Sequence, residues 1–250
     1  MLLSVAIIAR DEERHIADAL RSVVGLADEV LVLLDTRTSD ATAQIAESHG
    51  ARVVAAQWRN FSAQRNLALG MCQAEWVLFL DADERVTTEL FAEIQRVLAA
   101  RHATPAGYWI PRQNLFFGRP ARGGGWYPDH QLRLLRRSCA HYDETRLVHE
   151  LAQIDGETGY LSEHLLHLNI ERFDELWAKQ HSYAIQEAAT LRRQGRRARL
   201  RNLFGAPMRE FVRRFITLGG WRDGTLGLLL CGTLAYFEGV KFAYLLWNDE

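Results

Sequence analysis

With 250 residues, 48% of them hydrophobic and 24% charged, the chain can bury one core plus an appendage, and wholesale disorder is excluded. A net charge of −1 provides no electrostatic reason to expect a nucleic-acid partner. Cys72, Cys139 and Cys231 stand far apart without paired spacing, which fits a reducing compartment and not a disulfide scaffold.

The N-terminal run ends at Arg10, too short to span a bilayer, and lacks a basic leader and a small-residue cleavage site. It reads as a buried strand of a protein in the cytosol or attached to a membrane from the cytosolic side. Strands are expected at Leu3–Ala9, Glu29–Leu34 and Trp76–Leu80, with a weaker one at Ala51–Ala55. Continuous Val/Ile/Leu runs of this length suit strands covered on both faces. Helical spacing fills Glu12–Val24, Ser39–His49, Phe61–Cys72 and Thr87–Ala100, so the pattern predicts βαβ units and an α/β fold. Beyond Gly107 the texture changes. Tyr108–Pro111 and Gln131–Arg137 read as strands around the glycine-rich loop Gly118–Pro128, and Glu157–Leu168 is mixed. Helices are expected at Phe173–Arg193 and again near Pro207. The boundary falls near Asn169, separating a catalytic domain, 1–169, from a helical region, 170–250.

Carboxylates close the early strands: Asp11 and Glu12 the first, Asp35 the second, and Asp81 and Asp83 the Trp76–Leu80 strand. Ligands of open parallel sheets bind outside the carboxyl ends of the strands, so this set predicts a site for a cation and a polar ligand. Mg²⁺ or Mn²⁺ prefers hard oxygen donors and would bridge a carboxylate to a diphosphate, while the second carboxylate of D-x-D accepts hydrogen bonds from a ribose. Two other classes fit less well. D-x-D phosphatases place the motif on the first strand and need a downstream lysine, but here only Lys179 and Lys241 exist, both in helical segments. Nucleotidyltransferases need a glycine-rich first turn, and this one reads Arg10-Asp11-Glu12-Glu13.

Ser4–Glu13, Asp35–Asp40, Phe61–Asn66 and Trp76–Glu84 together resemble family 2 glycosyltransferases of the GT-A fold. Tyr127-Pro128-Asp129, Gln131–Arg136, Val148-His149-Glu150, His167 and Asp223-Gly224 resemble the subgroup containing lipopolysaccharide core β-1,4-glucosyltransferases. Two departures stand out: Asp11 replaces the usual Asn before Glu-Glu, and Gln131 replaces an Arg often found after Tyr-Pro-Asp. The resemblance implies that Asp35 and Arg65 contact the nucleotide base, Asp81 the ribose and Asp83 the metal, with His167 completing the metal or diphosphate site. Single displacement also needs a base to deprotonate the acceptor hydroxyl; Glu150 and Asp129 are the candidates, Glu150 the preferred one.

The tail from Phe204 is rich in large apolar side chains, but Glu238 and Lys241 interrupt it. It is therefore expected not to span a bilayer, and to form interfacial helices or a packing element instead. The arginines at 192, 193, 196, 197, 199 and 201 would face anionic phosphates. The combined expectation is an inverting, metal-dependent hexosyltransferase, peripheral on the cytosolic face of the inner membrane. It would use a UDP-sugar, plausibly UDP-glucose, and a lipopolysaccharide-core or other lipid-linked acceptor. A catalytically silent nucleotide-sugar-binding scaffold of the same fold is the alternative.

Overall fold

In the computed structural model, which describes residues 1–100, 105–145 and 151–247, the first apolar run forms strand β1 (Leu3–Ala9), buried along most of its length. Helix α1 (Ile16–Arg21), strand β2 (Glu29–Asp35), helix α2 (Thr42–Ser48) and strand β3 (Arg52–Ala56) follow. Helix α3 (Phe61–Met71) leads into strand β4 (Trp76–Phe79). β1 lies between β2 and β4, parallel to both, and β2 is parallel to β3. Strand alternation then sends Val5 and Ile7 to one face, against Ile16 and Leu20, and Ala6 to the other, beside Val77 and Phe79. Each fully buried Ile or Leu contributes about 1.5–3 kcal/mol.

The remaining strands are β5 (Glu84–Val86), β6 (Gly107–Phe116), β7 (Arg119–Pro120), β8 (Asp129–Arg136), β9 (Ala140–Tyr142), β10 (Ala152–Ile154), β11 (Thr158–Tyr160) and β12 (Leu165–Ile170), with helix α4 (Thr88–Ala99) after β5. The sheet order is β3-β2-β1-β4-β8-β6-β12-β5, with β9 and β10 forming a separate pair. β4 meets β8 antiparallel, as β5 meets β12. The expected α/β class holds, with an antiparallel extension on a parallel half.

The chain divides into two compact units, Met1–Arg112 with His130–His167, and Gln113–Asp129 with Leu168–Glu250. Gln113–Asp129, which lies within the expected catalytic domain, groups with the C-terminal helices. α1 is shorter than the expected Glu12–Val24. Residues 12–15 form a turn, in which the N–H groups of His15 and Ile16 both donate to the Glu12 carbonyl, because this stretch is tied to the next loop.

In the second unit, α5 (Phe173–Arg193) and α6 (Asn202–Phe211) precede a π-helical turn (Val212–Thr217), a 3₁₀ turn (Gly220–Asp223) and α7 (Gly224–Trp247). α7 packs against both α5 and α6. Glu238 and Lys241 interrupt the apolar run but not the helix. Lys241 pairs with Glu238 at 2.6 Å and with Glu187 of α5 at 3.0 Å, so the charges are neutralised inside the helical unit. The resulting 24-residue helix is about 36 Å long. By length and composition it is long and apolar enough to cross a membrane, although α5 and α6 already cover part of it. Close packing begins at the start of α7, where a Cβ on Gly227 would stand 1.9 Å from the Gly220 carbonyl oxygen.

Candidate active site

Strands β1, β2 and β4 run parallel and end at one edge, and the sheet order reverses between β1 and β4. Such a reversal opens a crevice at the carboxyl ends of the strands. The turn after β1 is stitched to the loop after β2. Asp11, held at φ 53°, a region that aspartate tolerates better than most residues, accepts from the Ser39 N–H at 2.8 Å. The Glu12 N–H donates to Thr42 Oγ1 and the Glu13 N–H to Asp40. Asp11 thus acts as a tie between loops.

Asp81, Ala82 and Asp83 follow β4 in a turn closed by the Glu84 N–H on the Asp81 carbonyl. The Asp81 carboxylate is gripped by both Arg133 Nη atoms, and Arg65 lies 3.5 Å away. Burial alone would raise its pKa, but the charges of Arg133 and Arg65 outweigh that and hold it below the ordinary carboxylate range. Beneath it, Glu84 is fully buried, accepts from Arg133 at 3.1 Å and Arg112 at 3.3 Å, and receives the Asp81 N–H. Desolvation opposes the charge on Arg133, and Asp81 and Glu84 more than restore it, so its pKa is raised. Two carboxylates and their guanidiniums therefore form a buried lattice that fixes the D-x-D backbone and leaves Asp81 37% exposed at its top.

The antiparallel register Leu165↔Val86, His167↔Glu84 brings His167 beside the motif. His167 Nε2 lies 3.2 Å from Asp83 Oδ2. Neighbouring ligands around an octahedral Mg²⁺ or Mn²⁺ stand about 3 Å apart, so a carboxylate oxygen and an imidazole nitrogen at this separation fit one hard-to-borderline cation. Among the described residues, no group of three or more His, Cys, Asp or Glu side chains assembles a complete metal cage. Glu12 faces the same space. Its pKa is pushed up to about 7, by burial first and then by the charges of Asp83, Asp40 and Asp81.

The other expected residues occupy distinct settings. Asp35, at the tip of β2, is buried and bound side-on by Arg37, whose hydrogen bonds bring its pKa down to about 2. Arg65 of α3 is buried, with its guanidinium over the rings of Phe79 and Tyr142, so its charge serves Asp81 from below. Asp129 opens β8, half-buried, and belongs to the second unit. Glu150 lies outside the described residues. Sequence reading missed the roles of Arg133, Arg112 and Glu84. The signal was present: Arg133 interrupts the apolar run Leu132–Leu135 in a strand with neighbours on both sides, where a charge requires a buried partner. In the second unit, Asp223 accepts from the N–H groups of Arg122 and Gly123, which pins the glycine-rich loop.

Residues 4–151 match glycosyl transferase family 2. Among curated proteins, the chain is 28% identical over 254 residues to the lipopolysaccharide core biosynthesis glycosyltransferase LpsC of Rhizobium meliloti, covering 97% of this chain and 89% of that one. It is also 28% identical over 204 residues to an uncharacterized glycosyltransferase of Rickettsia bellii, covering 78% of this chain and 69% of that one. Among solved structures, S. aureus TarS 1–349 in complex with UDP superposes with a TM-score of 0.51 at 17% identity, covering 74% of this chain and 65% of that one. The chain spans only 39% of another TarS crystal structure. The TarS likeness speaks for the fold alone. With the strand-end crevice, the D-x-D turn and a family match over more than half its length, the chain belongs to glycosyl transferase family 2 and is a glycosyltransferase with a GT-A core.

Proposed function

We propose that this enzyme moves a hexose, glucose, from a UDP-sugar to a lipid-linked glycan such as a lipopolysaccharide core, by a single inverting displacement at a membrane surface. The observation that carries the donor half of this reading is the 3.2 Å pairing of His167 with Asp83 at the D-x-D turn. LpsC, named for lipopolysaccharide core biosynthesis, supports the acceptor class, and TarS with UDP supports the donor class. Asp83 and His167 would hold Mg²⁺ or Mn²⁺, with the donor's phosphates supplying further oxygen ligands. The bound ion would stabilise charge on the departing diphosphate. Asp81, held ionised by Arg133 and Arg65, retains lone pairs for ribose hydroxyls, and Asp35 and Arg65 serve the base side. Glu150, or Asp129 in its place, takes the proton from the attacking hydroxyl.

Calorimetry with UDP tests the reading. Affinity should rise on adding Mn²⁺, and Asp83→Ala should abolish that rise while sparing the fold. An unchanged Mn²⁺ dependence in Asp83→Ala would refute Asp83 as the ion's carboxylate.

A further inference from the structure

Helix α6 and the π-helical turn after it carry an apolar line that no other part of the described chain covers. Phe204, Met208, Val212 and Ile216 recur every fourth residue, with Leu200 just ahead of the helix, and the five are 44–80% exposed. In an α-helix each four-residue step overshoots a full turn by about 40°, so such a line would wind away from one side. The π turn at Val212–Thr217 rotates less per residue and swings Ile216 back toward it. The other side of α6 is already in use: Ala206 is buried, and Pro207 lies against Gly239 of α7. The helix therefore has two apolar faces, one packed and one bare. Single exposed apolar side chains are commonplace, whereas four in line along one helix, with Leu200 just ahead of them, form a patch that requires a partner.

The charge beside the line indicates which partner. Arg201, Arg209 and Arg213 each follow a line residue by one position and are exposed along its flank. Between 196 and 217 there are seven arginines and a single acidic residue, Glu210, which is bound by Arg213 and Arg214. A second copy docking here about a two-fold axis would bring like charges together. An anionic lipid surface fits both features. Its acyl boundary takes the apolar line, and its phosphates take the arginines on the flank.

We infer that α6 and its π turn lie in the plane of an anionic lipid bilayer as the membrane-contacting surface. This rests on the reading that the enzyme works at a membrane, and it assigns the contact to α6, not to α7 or to the arginines alone. Insertion is in-plane, so the protein is held without crossing.

The test is co-sedimentation of the full chain with phosphatidylglycerol/phosphatidylcholine vesicles and with phosphatidylcholine vesicles alone. Wild-type protein should bind the anionic vesicles, release in alkaline carbonate, and lose roughly tenfold or more of its partitioning in the triple variant Phe204→Ser, Met208→Ser, Ile216→Ser. UDP affinity and helical circular dichroism should be unchanged. Should that variant misfold, Arg201→Gln with Arg209→Gln should weaken binding to anionic vesicles only. Equal binding by wild type and both variants overturns the α6 assignment and leaves the membrane reading standing. Wild-type protein that never sediments overturns both. A solution dimer that the triple variant dissolves, without vesicle binding, makes the line a contact between copies and also refutes the proposal. Resistance to carbonate would point to a spanning α7 instead.

Discussion

Arg133→Met removes the guanidinium that joins Asp81 to Glu84 while keeping a chain of similar length. Breaking a buried ion pair by deleting one partner costs about 3–5 kcal/mol, mainly through the charge left behind. Glu84 is fully buried and would keep one guanidinium, that of Arg112 at 3.3 Å, with the Asp81 N–H. Asp81 is 37% exposed and keeps Arg65 at 3.5 Å, so water recovers much of its loss, and its part is about 1 kcal/mol or less. The expected destabilisation is therefore at the lower end, about 3 kcal/mol. For a chain of this length that corresponds to a fall of roughly 6–12 °C in Tm. Thermal melts and urea titrations followed by circular dichroism would measure it. UDP calorimetry should show weaker binding, because Asp81 loses its bidentate partner. Arg112→Met, which removes a guanidinium from a less deeply buried side chain, should cost less. A loss below 1 kcal/mol for Arg133→Met, or a larger one for Arg112→Met, would refute the lattice as the support of the D-x-D turn.

Glu150→Gln should leave UDP affinity nearly intact and slow transfer about 10²–10⁴-fold, the range for losing a general base; Asp129→Asn, assayed in parallel by product formation, should do less. For Asp35, the folded pKa of about 2 lies below the ordinary 3.8, so its contribution to stability is present above pH 3.8 and is lost as pH falls toward 2. Melts of wild type and Asp35→Asn should accordingly converge between pH 4 and pH 2. Gly227→Ala must displace α7 from the Gly220 carbonyl and should cost about 1–3 kcal/mol in urea unfolding. Gly232→Ala, where a Cβ meets nothing within 4 Å, should be neutral or stabilising by up to about 1 kcal/mol.

Much of this protein follows from local pattern alone. The apolar runs at Leu3–Ala9 and Trp76–Phe79 have the length and composition of doubly covered strands, and a strand's end is also where its next polar residue emerges. The edge carrying Asp11, Asp35 and Asp81 could therefore be read without coordinates, as could α5, whose limits match its sequence pattern. Register and partnership could not. His167 comes to Asp83 only because β12 pairs with β5 in one register, and a shift of one residue would turn it to the opposite face. Arg133 reads as an ordinary charge until folding buries it against Asp81 and Glu84, residues 52 and 49 positions away in the chain, and nothing local shows that Arg65, expected at the base, comes within 3.5 Å of Asp81. Lys241 of α7 meets Glu187 only because α5 and α7 pack together. Chemistry carried by one strand end is local and is encoded in its neighbours. Chemistry that depends on which two segments meet is decided by the packing of the whole chain.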